Sequence, residues 1–202
     1  MAVTVGSRLG LGMLRRLPAE ARPLIRPGTV PTGVVHLGLG AFHRAHQAVF
    51  TEAAVGAAGG DWGIVAVAPR STAVVEAIAA QDNLFSVSAL SAAGSSTRVV
   101  GALSGVRHAP SDPDAVVALL ADPAVRVVTL TVTEKAYQLD PVTGRLSPDS
   151  ALAADLAGGG PPTTVPGLLL RGWSVRKRVV EGMRVELGGR RVVDEATGGG
   201  HE

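Results

Sequence analysis

A short apolar run, Val34-Val35-His36-Leu37, ends in Gly38-Leu39-Gly40 and passes directly into a segment of helical character over residues 42–58. This strand, glycine turn and helix constrain the chain more than any other feature. A strand without polar alternation is one buried on both faces, as in a parallel sheet sandwiched between helices. A turn with two glycines lets the backbone bend sharply and approach a ligand where a Cβ would intrude. The first turn of the following helix carries N–H groups without intrahelical partners, so the unit is suited to an anion such as a phosphate. Alone, the pattern fits an ordinary glycine-rich βα connection equally well, because His43 stands where the usual G-x-G-x-x-G spacing would put a third glycine.

The remaining text repeats the alternation. Residues 62–68 form a second apolar strand closed by Pro69, and Ser71 is placed to cap a helix through Val74, Val75 and Ile78. Short βαβα connections favour a parallel sheet. Residues 84–90 and 97–106, joined by Ala92-Ala93-Gly94-Ser95, predict an antiparallel hairpin. Asp112-Pro113 opens a further helix, with proline at its first turn. Residues 125–132 form another buried strand leading into Thr133-Glu134-Lys135. A turn at Asp140 to Gly144, a short helix near residues 150–156 and a helix capped by Thr163 or Thr164 follow. Residues 1–32, punctuated by Pro18, Pro23, Pro27 and Pro31, read as an N-terminal arm. After about Arg171 the text turns rich in Arg, Gly and Val, and residues 173–202 are expected to be a divergent, disordered tail. Either this end replaces the original one, as a shifted reading frame would, or it is a diverged helix-and-strand extension.

Composition removes several classes of function. Apolar residues make up 46% of the 202 residues, enough for a core, yet no stretch approaches a membrane span or a secretory leader. The net charge of +2 arises in the last part of the chain: residues 1–170 balance 12 basic against 12 acidic side chains, and residues 171–202 carry 7 against 5. With 3% aromatics and no net basic field in the globular part, nucleic-acid binding is not expected, although a basic tail with a regulatory role is the rival it leaves. The absence of cysteine excludes disulfides and thiolate chemistry and fits a cytoplasmic enzyme. His43 and His46 share a helical face, but no cysteine or acidic pair nearby completes a metal site, so no metal is expected.

Beyond the glycines, Gly38-Leu39-Gly40-Ala41-Phe42-His43-Arg44-Ala45-His46-Gln47 closely resembles the G-x-G-x-F-H-R-A-H-Q signature of the mannitol dehydrogenase and fructuronate reductase family, the polyol-specific long-chain dehydrogenases. Trp62-Gly63-Ile64-Val65 with Arg70-Ser71, then Gln81-Asp82-Asn83-Leu84-Phe85, keep the family order. Thr131-Val132-Thr133-Glu134-Lys135-Ala136-Tyr137 is similar to the family's T-V-T-E-K-G-Y. Departures are Ala66, Pro69 and Ala136, the last where the family has glycine beside the nicotinamide. The likeness covers roughly residues 11–172.

The resemblance implies an α/β, Rossmann-like, doubly wound and mainly parallel sheet with an antiparallel hairpin insertion, truncated after residues 33–172 as its dinucleotide-binding domain. It implies a cofactor site formed by Gly38, Leu39, Gly40, Ala41, Phe42, His43 and Arg44 at the phosphates, Arg70 and Ser71 at the adenosine, and Thr133, Glu134 and Lys135 near the nicotinamide. Glu134 and Lys135 read equally as a solvated loop pair, Arg70 as an adenine-stacking or exposed charge, and His36 as a hydrogen-bonded core histidine. The resemblance points to NAD. An arginine with no acid at the end of the second strand keeps NADP open, since acids there bind a ribose hydroxyl and arginines a 2′-phosphate.

No catalytic residue is expected in this chain. The family's lysine lies in K-x-x-x-x-N-x-x-H of a later domain. Lys135 is followed at those positions by Asp140 and Thr143, and Lys177 by Gly182 and Val185. The D-N-x-x-x-N-G motif is also missing. The expectation is therefore the cofactor half of an oxidoreductase acting on a CH–OH group of a sugar alcohol or keto-sugar acid, inactive alone. The substrate would join only if a catalytic domain were supplied, and the rivals are a nucleotide-binding remnant and an unstable fragment.

Overall fold

A computed structural model describes residues 8–92 and 94–186. Among its described residues, 8–31, the arm contains two short 3-10 turns, Leu11–Arg16 and Ala19–Ala21, and no strand. Then come β1 (Thr32–Leu37), α1 (Ala41–Ala45), α2 (Gln47–Ala58), β2 (Gly63–Ala68), α3 (Thr72–Ala79), β3 (Phe85–Ser91), β4 (Gly94–Val100), β5 (Leu103–His108), α4 (Pro113–Ala121), β6 (Val127–Leu130), α5 (Ser150–Ala157) and α6 (Val165–Glu186).

The main sheet has the order β5-β2-β1-β6 and is parallel throughout. Alternate residues of its central strands serve two cores. Val34, Ile64, Ala66 and Ala68 face α2, α3 and the hairpin, where Ala48, Ile78, Phe85 and Val100 complete the packing. Val35, Leu37 and Val67 face α4 and α6 through Val116, Val117, Leu120 and Leu168. Helices on both faces explain why these strands read as unbroken apolar runs. The expected doubly wound, Rossmann-like sheet is therefore present, and its direction of winding reverses at β1.

Three boundaries differ from expectation. Residues 97–106 are not one strand: β4 pairs antiparallel with β3, while β5 leaves the hairpin and joins β2 in the main sheet. The break falls at Gly101, where a Cβ would stand 2.7 Å from Pro27 Cγ of the arm. The helix expected over residues 42–58 is interrupted at His46, whose backbone (φ −121°, ψ −80°) separates α1 from α2. The expected change of character after Arg171 is not a structural boundary, because α6 continues through Trp173 to Glu186. The tail beyond residue 186 lies outside the described residues.

Caps follow local chemistry. The Asp112 carboxylate accepts from Ala115 N at 3.1 Å, and Asp149 accepts from Leu152 N at 2.8 Å. Thr164 Oγ1 accepts from Gly167 N at 3.0 Å, whereas Ser71 makes no capping bond at the start of α3. The arm is held by a fully buried carboxylate: Glu52 of α2 accepts from Leu24 N at 2.9 Å through Oε1 and from Gly101 N through Oε2. Burial pushes the Glu52 carboxyl above its ordinary range, against the pull of these amides. Among the described residues, no helix is long and apolar enough to cross a membrane.

Candidate functional site: a cleft at the strand ends

A cleft of about 720 Å³ opens at the C-terminal ends of β1, β2 and β6. This is where the winding reverses and helices depart to opposite faces, leaving a crevice that side chains do not fill. Its walls come from the β1–α1 turn, the β2–α3 connection, the segment after β6 and the start of α6.

The two glycines have different tasks. Gly38 has φ +125°, and a Cβ there would lie 2.5 Å from Thr131 O and 2.6 Å from Thr131 Oγ1, so glycine is required for β1 to pass β6. Gly40 has ordinary extended backbone and a Cβ there would meet nothing within 4 Å; it borders the open cleft. The fold needs Gly38, whereas the freedom around Gly40 is available to a ligand.

Of the residues expected at the site, Gly38, Leu39, Gly40, Arg44, Arg70, Ser71, Thr133 and Lys135 line this one cleft. Ala41, Phe42 and His43 do not. Phe42 is 66% exposed and stacks on His46 at 4.3 Å, and Ala41 is exposed. His43 is fully buried beneath the turn, its ring stacked on His36 at 3.7 Å with 10° between the planes. Glu134 opens a 3-10 turn, Glu134–Tyr137. Sequence reasoning missed the far wall, where Gln138, Asp149, Thr163 and Thr164 line the cleft. Thr163 and Thr164 were legible as a cap; their nearness to the glycine turn depends on the position of α6 in the finished fold.

The Asp155 carboxylate anchors that wall, accepting from Thr163 N at 3.0 Å, Thr164 N at 2.8 Å and Thr164 Oγ1 at 2.6 Å. Its pKa is lowered: these hydrogen bonds favour the charged form and outweigh the opposing desolvation. On the β2 side, the Arg70 carbonyl accepts from His108 Nε2 at 3.3 Å, while the Arg70 residue is exposed. Among the described lining side chains, Arg44, Arg70 and Lys135 are cationic and Asp149, engaged in capping α5, is the one carboxylate. The cleft thus suits an anionic ligand. Beneath it, desolvation lowers the pKa of both buried imidazoles, that of His36 to about 4, so both are neutral at physiological pH.

Known proteins resemble this chain in sequence and in fold. A family model for the mannitol dehydrogenase Rossmann domain matches residues 32–182. The chain is 40% identical over 173 residues to a polyol:NADP oxidoreductase of Gluconobacter oxydans, an alignment covering 82% of this chain and 35% of that protein. It is 39% identical over 161 residues to a mannitol 2-dehydrogenase of Cereibacter sphaeroides, covering 77% and 33%. The Pseudomonas fluorescens mannitol 2-dehydrogenase in ternary complex with NAD and D-mannitol superposes with a TM-score of 0.79 at 32% identity, over 86% of this chain and 37% of that one. A substrate-free D-sorbitol dehydrogenase gives 0.78 at 34% identity, over 87% and 37%. The chain therefore spans about a third of the length of the curated relatives it matches. With fold, glycine turn and sequence in agreement, the chain belongs to the mannitol dehydrogenase family and carries its Rossmann domain.

Proposed function

We propose that the chain binds a nicotinamide dinucleotide, NAD, in the cleft between Gly40 and Thr164, as the cofactor-binding part of an oxidoreductase acting on sugar alcohols or keto-sugar acids. The observation that carries this reading is the open space over Gly40 at the mouth of an electropositive crevice. A backbone without a Cβ, beside Arg44, suits a pyrophosphate. Arg70 and Ser71 would meet the adenosine end, and Thr133 and Lys135 would border the nicotinamide. When bound, the nicotinamide supplies a hydride acceptor or donor. The chain's own residues bind and orient; neither Lys135 nor Lys177 sits in the K-x-x-x-x-N-x-x-H arrangement of the family's base. Binding without turnover is the expected behaviour of this chain alone.

Titration of NADH by fluorescence or calorimetry tests the reading. Wild type should bind and Gly40→Val should bind more weakly; equal affinity would remove the turn from the site. Steady NADH formation from mannitol by this chain alone would refute the absence of turnover.

One observation favours NADP as a second reading. Arg70 is exposed at the end of β2, and the described lining places no acid beside it to take a ribose hydroxyl. A tenfold tighter fit of NADPH than NADH, about 1.4 kcal/mol, would decide for it.

A further inference from the structure

Five buried or half-buried side chains lie beneath the glycine turn, and the cofactor reading leaves most of them without a task. Their hydrogen bonds can be followed in one direction. The Gly38 carbonyl can only accept, and it lies 3.0 Å from Thr131 Oγ1 and 3.1 Å from His36 Nε2. Thr131 has one hydroxyl proton; given to Gly38, it leaves the oxygen to accept from His36 Nε2–H at 2.8 Å. A neutral His36 protonated at Nε2 has a bare Nδ1, which must receive the Thr129 hydroxyl at 2.7 Å. The Thr129 oxygen then accepts from Gln47 Nε2–H at 2.8 Å, and Gln47 Oε1 accepts from His43 Nδ1–H at 3.1 Å. The opposite sense, with Thr129 donating to Gln47 Oε1 at 3.2 Å, would set a bare His36 Nε2 against the Gly38 carbonyl. Two lone pairs facing each other in a buried site are costly.

We infer that His36 and His43 are positioning residues for the cleft: a one-way chain of hydrogen bonds from His43 to the Gly38 carbonyl, with the two imidazoles in opposite neutral tautomers, keeps that carbonyl turned into the protein. The consequence for binding rests on the dinucleotide reading above. A Gly38 carbonyl rotated into the cleft would present its negative end to a phosphate; engaged by Gly40 N at 2.7 Å, Thr131 and His36, it does not. The stacked His43 ring closes the space under His36, and its Nε2 is the one buried side-chain nitrogen or oxygen without a partner among the described residues. That bare acceptor is what the direction of the chain requires at its origin, since a protonated Nε2 would leave a buried donor unpaired beside Arg44, the charged group that acts on this ring.

Long-range ¹⁵N–¹H correlation spectra of histidine-labelled protein at neutral pH test the chain directly. His36 should be protonated at Nε2 and His43 at Nδ1. A His36 protonated at Nδ1, or either ring as imidazolium, would overturn the inference whether or not the protein binds NADH. Binding tests the positioning role. His36→Leu should weaken NADH binding about tenfold or more, while His36→Gln, whose amide can reach the same acceptors, should recover most of it. If His36→Leu does not fold, Thr129→Val interrupts the same chain and should weaken binding several-fold. Variants that bind as tightly as wild type would overturn the positioning role. Wild type that binds no NADH would instead sink the cofactor reading and leave the tautomers to be judged by the spectra.

Discussion

The two ends of the cleft are built in opposite ways. At the β1–α1 turn, the geometry is fixed from below: Gly38 is required by Thr131, which directly follows β6, and its carbonyl is tied to a buried network. At the β2–α3 connection, Arg70 and Ser71 stand exposed, and Ser71 makes no capping bond. At the first end, Gly38 is a property of the backbone and cannot be altered without disturbing the fold. The second is a choice of side chains and can change its ligand while the sheet stays as it is.

The contrast can be broken most forcefully at Gly38. Gly38→Ala would force a Cβ to within 2.5 Å of Thr131 O at φ +125° and should cost more than about 3 kcal/mol, seen as a lower midpoint in urea. An unchanged midpoint would mean that β1 and β6 can separate freely. Acid should loosen the same end. Because the His36 pKa falls from 6.5 unfolded to about 4 folded, the unfolded state binds more protons between those values. Its contribution, about 3 kcal/mol, is complete above pH 6.5 and lost as pH falls towards 4. Stability that stays flat over that window in wild type, compared with His36→Gln, would contradict the buried neutral ring.

Gly40→Val sharpens the comparison, since it lies on the fixed turn but faces open space. It should leave stability within about 0.5 kcal/mol while lowering NADH affinity about tenfold. A large loss of stability there would show that both glycines serve the fold. The smallest effect is expected at the exposed end: Arg70→Asp should shift preference from NADPH towards NADH by several-fold with little change in melting temperature. An unchanged ratio would place the adenosine elsewhere.

What the sequence made legible was local. The apolar run of β1, the glycine turn and the Asp112-Pro113 helix start depend on residues within a few positions of one another, and the structure has them where expected. The separation of β4 from β5 was not legible, because Gly101 yields to a proline of the arm far away in sequence. The break at His46 carries neither glycine nor proline; His46 Nδ1 lies 3.0 Å from the Phe42 carbonyl, a contact that no periodicity announces. Around the cleft, Gly38, Gly40, Arg70, Ser71, Thr133 and Lys135, which line it, stand in motifs that can be read in the sequence. The partnership of His36 with His43 cannot be read there, since it exists only once α1 is laid over β1. The reading of His36 as a hydrogen-bonded core residue named its state without its neighbour.

Glu52 bears on how the chain is made. Its carboxylate binds amides 28 residues before it and 49 residues after it in sequence. During synthesis, Leu24 and Glu52 leave the ribosome well before Gly101. Until the stretch between β4 and β5 has emerged, the carboxylate lacks one of its two amides, and burying it with that site unmet is costly. The contact between the arm and Glu52, although its own residues are made earlier, is thus complete only once Gly101 has emerged.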